Sequence, residues 1–419
     1  MADPITALVN TLQGYLEGAA LLVRRTFFNE APTVSAVQLV SSETTGPLNG
    51  GVVATDPEHD KLVYKVTEQP HYGTVTIDPN TGSYTYTPNS TFNGIDSFTV
   101  AVTDTGTHIN LLNWFRSAST STAVGVYEQP AGTDRITFTF NYVNGSQWWS
   151  SAARAELAAT AIYLSSYFVA THNVDVTYNV TGQYSLGGST LAFAGSDLTS
   201  SDAGFYPTVV QNKILTGVDS NGSAADGTIT WNFGYPWGLG NSVSSSQYDF
   251  ESTAMHELLH TFGFISVVDS AGKNTGSNYT TFDSFITTSN GTSVWNGTTF
   301  NTAYNTNLTG GNGGLYFGGT NAVAAYGTGV PLFTPNPWES GSSISHLDDK
   351  TFNGSAGHAE QLMNAASDTG MGVRTLSAAE IGIMKDLGYT MVSQSAVGGV
   401  LLISVMYVRR RKQRVAVAA

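Results

Sequence analysis

Ser252-Thr253-Ala254-Met255-His256-Glu257-Leu258-Leu259-His260-Thr261-Phe262-Gly263-Phe264 carries two histidines four positions apart, with a glutamate directly after the first. Its apolar neighbours and closing glycine suit a helix, on which residues four apart share one face. Two imidazoles on one face converge on a single ion, and a carboxylate one position on reaches a water held there. The pattern therefore predicts a zinc site, with His256 and His260 as metal ligands and Glu257 as general base.

Zinc lowers the pKa of a bound water to about 7, and an adjacent carboxylate takes its proton during attack on a carbonyl and passes it to the departing amine. A catalytic zinc usually takes about three protein ligands and keeps one position open. Downstream only His346 and His358 remain, and the residues alone leave both open as the third ligand.

Ser345-His346-Leu347-Asp348, followed by Leu362-Met363-Asn364-Ala365, resembles the leishmanolysin-like metzincins and related exported bacterial metallopeptidases. In those proteins the third histidine follows a long insertion and precedes a methionine turn. The resemblance implies an α+β metzincin-like catalytic domain, His346 as third ligand and Met363 beneath the metal. It runs to Ile381-Gly382-Ile383-Met384-Lys385-Asp386-Leu387-Gly388-Tyr389. The chain departs from it in having no cysteine, in placing Ser266 where the compact metzincin pattern has its third histidine, and in inserting 85 residues between His260 and His346. Asp283, Asp348 and Asp349 are candidates to orient the imidazoles from behind, against solvated loop acids.

Upstream, residues 31–107 alternate in short runs such as Leu62-Val63-Tyr64-Lys65-Val66 and Ser97-Phe98-Thr99-Val100, separated by Gly, Pro, Asn and Asp. Such spacing predicts an all-β sandwich. Asp56-Pro57-Glu58-His59-Asp60, Gly73-Thr74-Val75, Tyr84-Thr85-Tyr86-Thr87-Pro88 and Asp96-Ser97-Phe98-Thr99-Val100 resemble the cadherin-like or Ig-like modules of bacterial surface proteins. Asp56, Glu58 and Asp60 offer clustered oxygens to Ca²⁺, against a solvated acidic turn. His59, His71, His108 and His172 lack ligand spacing and read as surface or turn histidines.

Residues 108–133 read as a linker, and the catalytic domain as 134–390. There Ile136, Phe138, Phe140 and Tyr142 alternate as a strand; Leu157, Ala161, Leu164 and Phe168 follow helical spacing; Val174, Val176, Tyr178 and Val180, then Ile229, Trp231 and Phe233, alternate again. This order predicts a twisted sheet packed by helices. Ser377 and Glu380 form a capping-box pattern ahead of the last helix. Gly310 to Gly319 reads as an irregular loop.

At the ends, residues 1–30 read as a short amphipathic helical segment through Ile5, Leu8, Leu12 and Leu16. Residues 391–408 are mostly apolar and precede the basic run 409–419, a stop-transfer order that predicts a C-terminal transmembrane helix with a cytoplasmic tail, against a final core strand with a solvated basic tail. The fold class expected is thus multidomain: a cadherin-like β-sandwich, an α+β catalytic domain, and a membrane anchor that holds both outside the cell.

The balance of the chain agrees with an extracytoplasmic setting. Only 11% of its 419 residues are charged, and Gly, Ser, Thr and Asn abound. A formal charge of −14 offers no basic surface to nucleic acid. The absence of cysteine excludes disulfides, thiolate ligands and a cysteine nucleophile. The expectation is an exported zinc endopeptidase acting on protein or peptide, against two rivals: an inactive adhesin, and a zinc hydrolase of non-peptide amides or esters.

Overall fold

The computed structural model describes residues 20, 22–24, 26–34, 37–42, 47–90, 92, 95–106, 119–128, 135–186, 190–240, 243–355 and 359–392. The first unit is a sandwich of two sheets. Strands β1 (Val37–Ser42), β2 (Leu48–Gly51), β3 (Leu62–Glu68), β4 (Gly73–Ile77), β5 (Ser83–Pro88), β6 (Ile95–Asp104) and β7 (Ser119–Glu128) are arranged as β1-β7-β6-β3 and β2-β5-β4. Between the sheets lie Tyr64, Val75, Tyr84, Tyr86, Phe98, Val100, Val102, Val124 and Val126, all buried. Alternation in β4 and β5 sends Val75, Tyr84 and Tyr86 inward and turns Thr74, Thr76 and Thr87 outward.

β7 corrects the expected linker at 108–133. It pairs antiparallel with β6 and parallel with β1, so the sandwich extends to Glu128. Its residues Thr122, Ala123, Val124, Gly125 and Val126 are all buried. A strand covered on both faces shows no alternation, which is why the pattern hid it.

The second unit is built on β8 (Ile136–Asn144), α1 (Ser151–Ser165), β9 (Val174–Gln183), β10 (Ala192–Gly195), α2 (Val209–Thr216), β11 (Gly227–Asn232), α3 (Phe250–Thr261), α4 (Thr320–Tyr326) and α5 (Ala378–Asp386). Its main sheet runs β8-β9-β11-β10, the first three strands parallel and β10 antiparallel at the edge. In β9, Val174, Val176, Tyr178 and Val180 are buried on one face, as their alternation requires.

Helix α1 is buried along 12 of its 15 residues. A helix apolar all round must be covered all round. One side meets the main sheet; the other meets the outer face of the sandwich, where Ser97 Oγ donates to Ala159 O at 3.1 Å and Ala123 packs with Ala158 and Ala159. The small residues of α1 let two units share one helix.

The expected C-terminal transmembrane helix is corrected: among the described residues no helix is long and apolar enough to cross a membrane. Met391, where that span was to begin, is buried and bridges to Phe168, and Val392 N donates to Tyr167 O at 2.9 Å. The apolar run thus starts as backbone tied to the end of α1's turn. The rest of 391–408 and the basic 409–419 lie outside the described residues, as do 1–19.

Candidate metal centre

Helix α3 starts at Asp249, whose carboxylate accepts from the N–H groups of Glu251 and Ser252. Phe250, Ala254, Met255, Leu258 and Leu259 are fully buried against the sheet. That apolar stripe fixes the helix in rotation and presents His256 and His260 on the opposite edge. After Phe262 the chain turns sharply at Gly263, whose φ of +100° favours glycine.

The third histidine comes from a segment 86 positions beyond His260. Phe333 N donates to His346 O and Ile344 N to Phe333 O, both at 2.8 Å, while Leu347 N donates to Met363 O at 2.8 Å. These ties hold His346 between two extended segments. Ile344, fully buried, has a φ of +68°, a conformation that a β-branched residue adopts only when its surroundings enforce it.

The three Nε2 atoms lie 3.0 Å (His256 to His346), 3.0 Å (His260 to His256) and 3.1 Å (His260 to His346) apart. Every Nδ1 faces a backbone carbonyl: Leu362 O at 2.8 Å from His256, Phe264 O at 2.7 Å from His260 and Ser342 O at 2.7 Å from His346. A carbonyl only accepts, so each Nδ1 carries the proton. Three neutral imidazoles then point lone pairs at one another, an arrangement without a hydrogen bond among them. Burial, and for His260 and His346 also neighbouring imidazoles, keeps the rings neutral, with His346 pushed down to about 3. Three convergent, unprotonated, tautomer-fixed nitrogens fit zinc, which binds imidazole at about 2.0–2.1 Å.

Glu257 is buried, and burial pushes its carboxyl up to about 8, while the Ala194 N–H on edge strand β10 favours its charged form. A cation beside it would add to that second effect. Met363 is fully buried, and its N–H donates to Glu380 Oε1 at 2.8 Å. A cleft of about 270 Å³ opens beside His256, lined also by Ser252, Asp349, Phe352, Leu362 and Asn364.

The structure thus brings together His256, His260 and His346, with Glu257 on the next position and Met363 on the adjoining segment. His358 lies outside the described residues, as does His108. The three aspartates do not orient the rings. Asp283 accepts from Val267 N and Thr280 N, Asp348 from Thr351, and Asp349 from Ala365 N. Main-chain carbonyls do that work, and no side-chain pattern announces them. In the first unit Asp56 Oδ1 accepts from Glu58 N and Asp60 N, and Glu58 pairs with Arg24 at 2.7 Å. His71 lies in the bend between β3 and β4, as a turn histidine would, but it is not idle there: it stacks on Tyr163 at 3.8 Å between the two units.

Residues 29–111 match the family model of the bacterial cadherin-like domain, so the chain carries such a domain in its N-terminal part. The chain is 28% identical over 151 residues to proteins named sphingomyelinase from Mycobacterium bovis and Mycobacterium tuberculosis, covering 33% of this chain and 30% of theirs. It therefore spans less than a third of the length of these relatives. Among solved structures it is similar to the human desmocollin-1 ectodomain (19% identity, TM-score 0.19, 26% of this chain and 24% of that one). An endo-fucoidan hydrolase of glycoside hydrolase family 107 is similar at 22% identity and TM-score 0.19, over 24% and 14% of the two chains. At that TM-score neither bears on fold or activity here.

Proposed function

We propose that this chain is a zinc-dependent endopeptidase acting outside the cytoplasm, with His256, His260 and His346 as metal ligands and Glu257 as general base. The observation that carries the reading is the convergence of three Nε2 lone pairs whose rings are locked by carbonyls on the far side. When bound, zinc supplies the Lewis acid that activates a water and polarises the scissile carbonyl. Glu257 accepts the proton of the attacking water and then donates it to the leaving nitrogen, so that C–N cleavage ends with a neutral amine. Burial raises the affinity of Glu257 for a proton in the metal-free site, and a bound cation would bring it down again, toward a carboxylate able to accept one.

An extended peptide is the substrate that the surroundings suit. β10 is an edge strand, and its Ala194 contacts Glu257. A chain laid along that edge by main-chain pairing would pass the catalytic carboxylate. A purely structural zinc has no use for Glu257, which speaks against an inactive adhesin.

The test is hydrolysis of a quenched-peptide library, and in parallel of ester and sphingomyelin substrates, by wild type and Glu257→Ala. Peptide cleavage lost in the variant supports the reading. Cleavage of esters or sphingomyelin alone would replace it with a non-peptide hydrolase, and no turnover of any substrate with zinc bound would replace it with a binding protein.

A further inference from the structure

A second cluster lies where the sandwich meets α1 and α3. Glu68 at the end of β3, Glu156 in the middle of α1 and Glu251 at the start of α3 each turn a carboxylate oxygen to within 4.8 Å of the others. They are 6%, 3% and 2% exposed. The pairing of β3 with β6 shifts register between Val66 and Glu68. A bulge of this kind re-aims a side chain, and here it sends Glu68 into the junction rather than to the rim.

The hydrogen bonds around the cluster leave one oxygen over. Glu156 Oε1 accepts from Gly240 N at 3.0 Å, and Glu68 Oε2 from Thr99 Oγ1 at 3.3 Å. Glu251 pairs with Arg374 at 2.5 Å and with His71 Nε2 at 3.1 Å. Glu68 and Glu156 share a hydrogen bond that requires a proton on one of them, and Glu68 Oε1 has no donor from outside the cluster. Arg374 is shared with Asp249, at 2.8 Å. Four buried carboxylates therefore face one guanidinium and one imidazole. Buried charge of this sign requires compensation by protons or by a cation.

We propose that Glu68, Glu156 and Glu251 hold a hard divalent cation, calcium, that clamps the cadherin-like unit to the second unit. Calcium takes oxygen ligands, and carboxylates serve it in one- or two-oxygen fashion. The site draws one ligand from the sandwich and two from the other unit, so it forms only when they dock. It is separate from the acidic turn at Asp56, Glu58 and Asp60, which lies within the sandwich. Without the cation the cluster must hold protons instead, consistent with the strong upward push that burial and its neighbours give Glu68.

The test uses the full chain with zinc saturating. Thermal unfolding is followed in calcium-free buffer and at rising Ca²⁺ for wild type, Glu68→Gln and Glu156→Gln, and Ca²⁺ affinity is measured by calorimetry. Ca²⁺ is expected to raise the midpoint of wild type, and to bind the variants at least about tenfold more weakly, since each loses a charged ligand. On wild type alone, Ca²⁺ binding at neutral pH is expected to release about one proton, the one the cluster holds without metal; binding at a solvated acidic turn releases none. A Ca²⁺ response equal in all three proteins, no response in wild type, or binding without proton release would overturn the proposal and leave a proton-sharing cluster.

Discussion

Glu380→Ala tests how the metal centre is supported from behind. Glu380 is fully buried, accepts from Met363 N at 2.8 Å through Oε1 and from Ser377 N at 2.8 Å through Oε2, and donates its own N–H to Ser377 Oγ at 3.2 Å, a complete capping box. Removing the carboxylate leaves the Met363 N–H buried and unsatisfied, which costs about 1–3 kcal/mol. The Ser377 N–H also loses its acceptor, while the cap from Ser377 Oγ to the backbone N–H at 380 remains, so this half of the capping box adds about 0.5–1.5 kcal/mol. Because water reaches Ser377, the expected destabilisation is about 2–4 kcal/mol. Leu362, directly before Met363, supplies the carbonyl that holds the His256 ring. Zinc affinity is therefore expected to fall about 10- to 100-fold, the usual consequence of loosening a ligand's outer partner. Urea unfolding of the zinc-loaded protein and a competitive zinc titration read the two effects. Stability within about 0.5 kcal/mol of wild type, with unchanged zinc affinity, would refute the reasoning.

Gly263→Ala is expected to lower stability by about 1–3 kcal/mol, because φ is +100° and a Cβ would lie 2.4 Å from Gln211 Oε1. Gln211 is tied to Leu387 O at 2.8 Å and has no room to yield; an unchanged thermal midpoint would contradict this. His346→Ala is expected to weaken zinc binding at least about 100-fold, its share of the roughly 10–16 kcal/mol that such sites provide. Undiminished metal content would point to a ligand other than His346. In calcium-free buffer, Glu68, raised from 4.5 to about 10, keeps a proton that the unfolded chain gives up near 4.5. Its contribution is full below the lower value and is lost as pH climbs through the interval, so the urea midpoint should fall with rising pH. A midpoint that rises with pH would refute it.

What could be read from the sequence follows from the range of the interactions. The α3 motif is local: spacing of four places both histidines on one face whatever the rest of the chain does. The capping box at Ser377 and Glu380 is equally local, and both of its hydrogen bonds are present. Alternation exposed strands with one wet face, such as β3, but not β7, which has none. The role of α1 as a shared layer was hidden for the same reason, since its Ala-rich sequence has no polar stripe. His71 read as a surface or turn histidine and nothing marked Glu68 or Arg374, because their partners are far along the chain, Arg374 to Asp249 spanning 125 positions. The carbonyls behind the three imidazoles leave no mark in the sequence at all. The apolar run at 391–408 was read for its composition, whereas Met391 and Val392 are spent on pairing with the end of the α1 segment.

The most direct measurement is peptide cleavage by wild type and Glu257→Gln, with zinc content determined on the same samples. Glutamine keeps the size of the side chain and loses the base. The account predicts one zinc per chain in both proteins, cleavage by wild type, and a loss of at least about 100-fold in the variant, the contribution of a general base. Equal cleavage by the two proteins, or cleavage by wild type that survives removal of zinc, would contradict it.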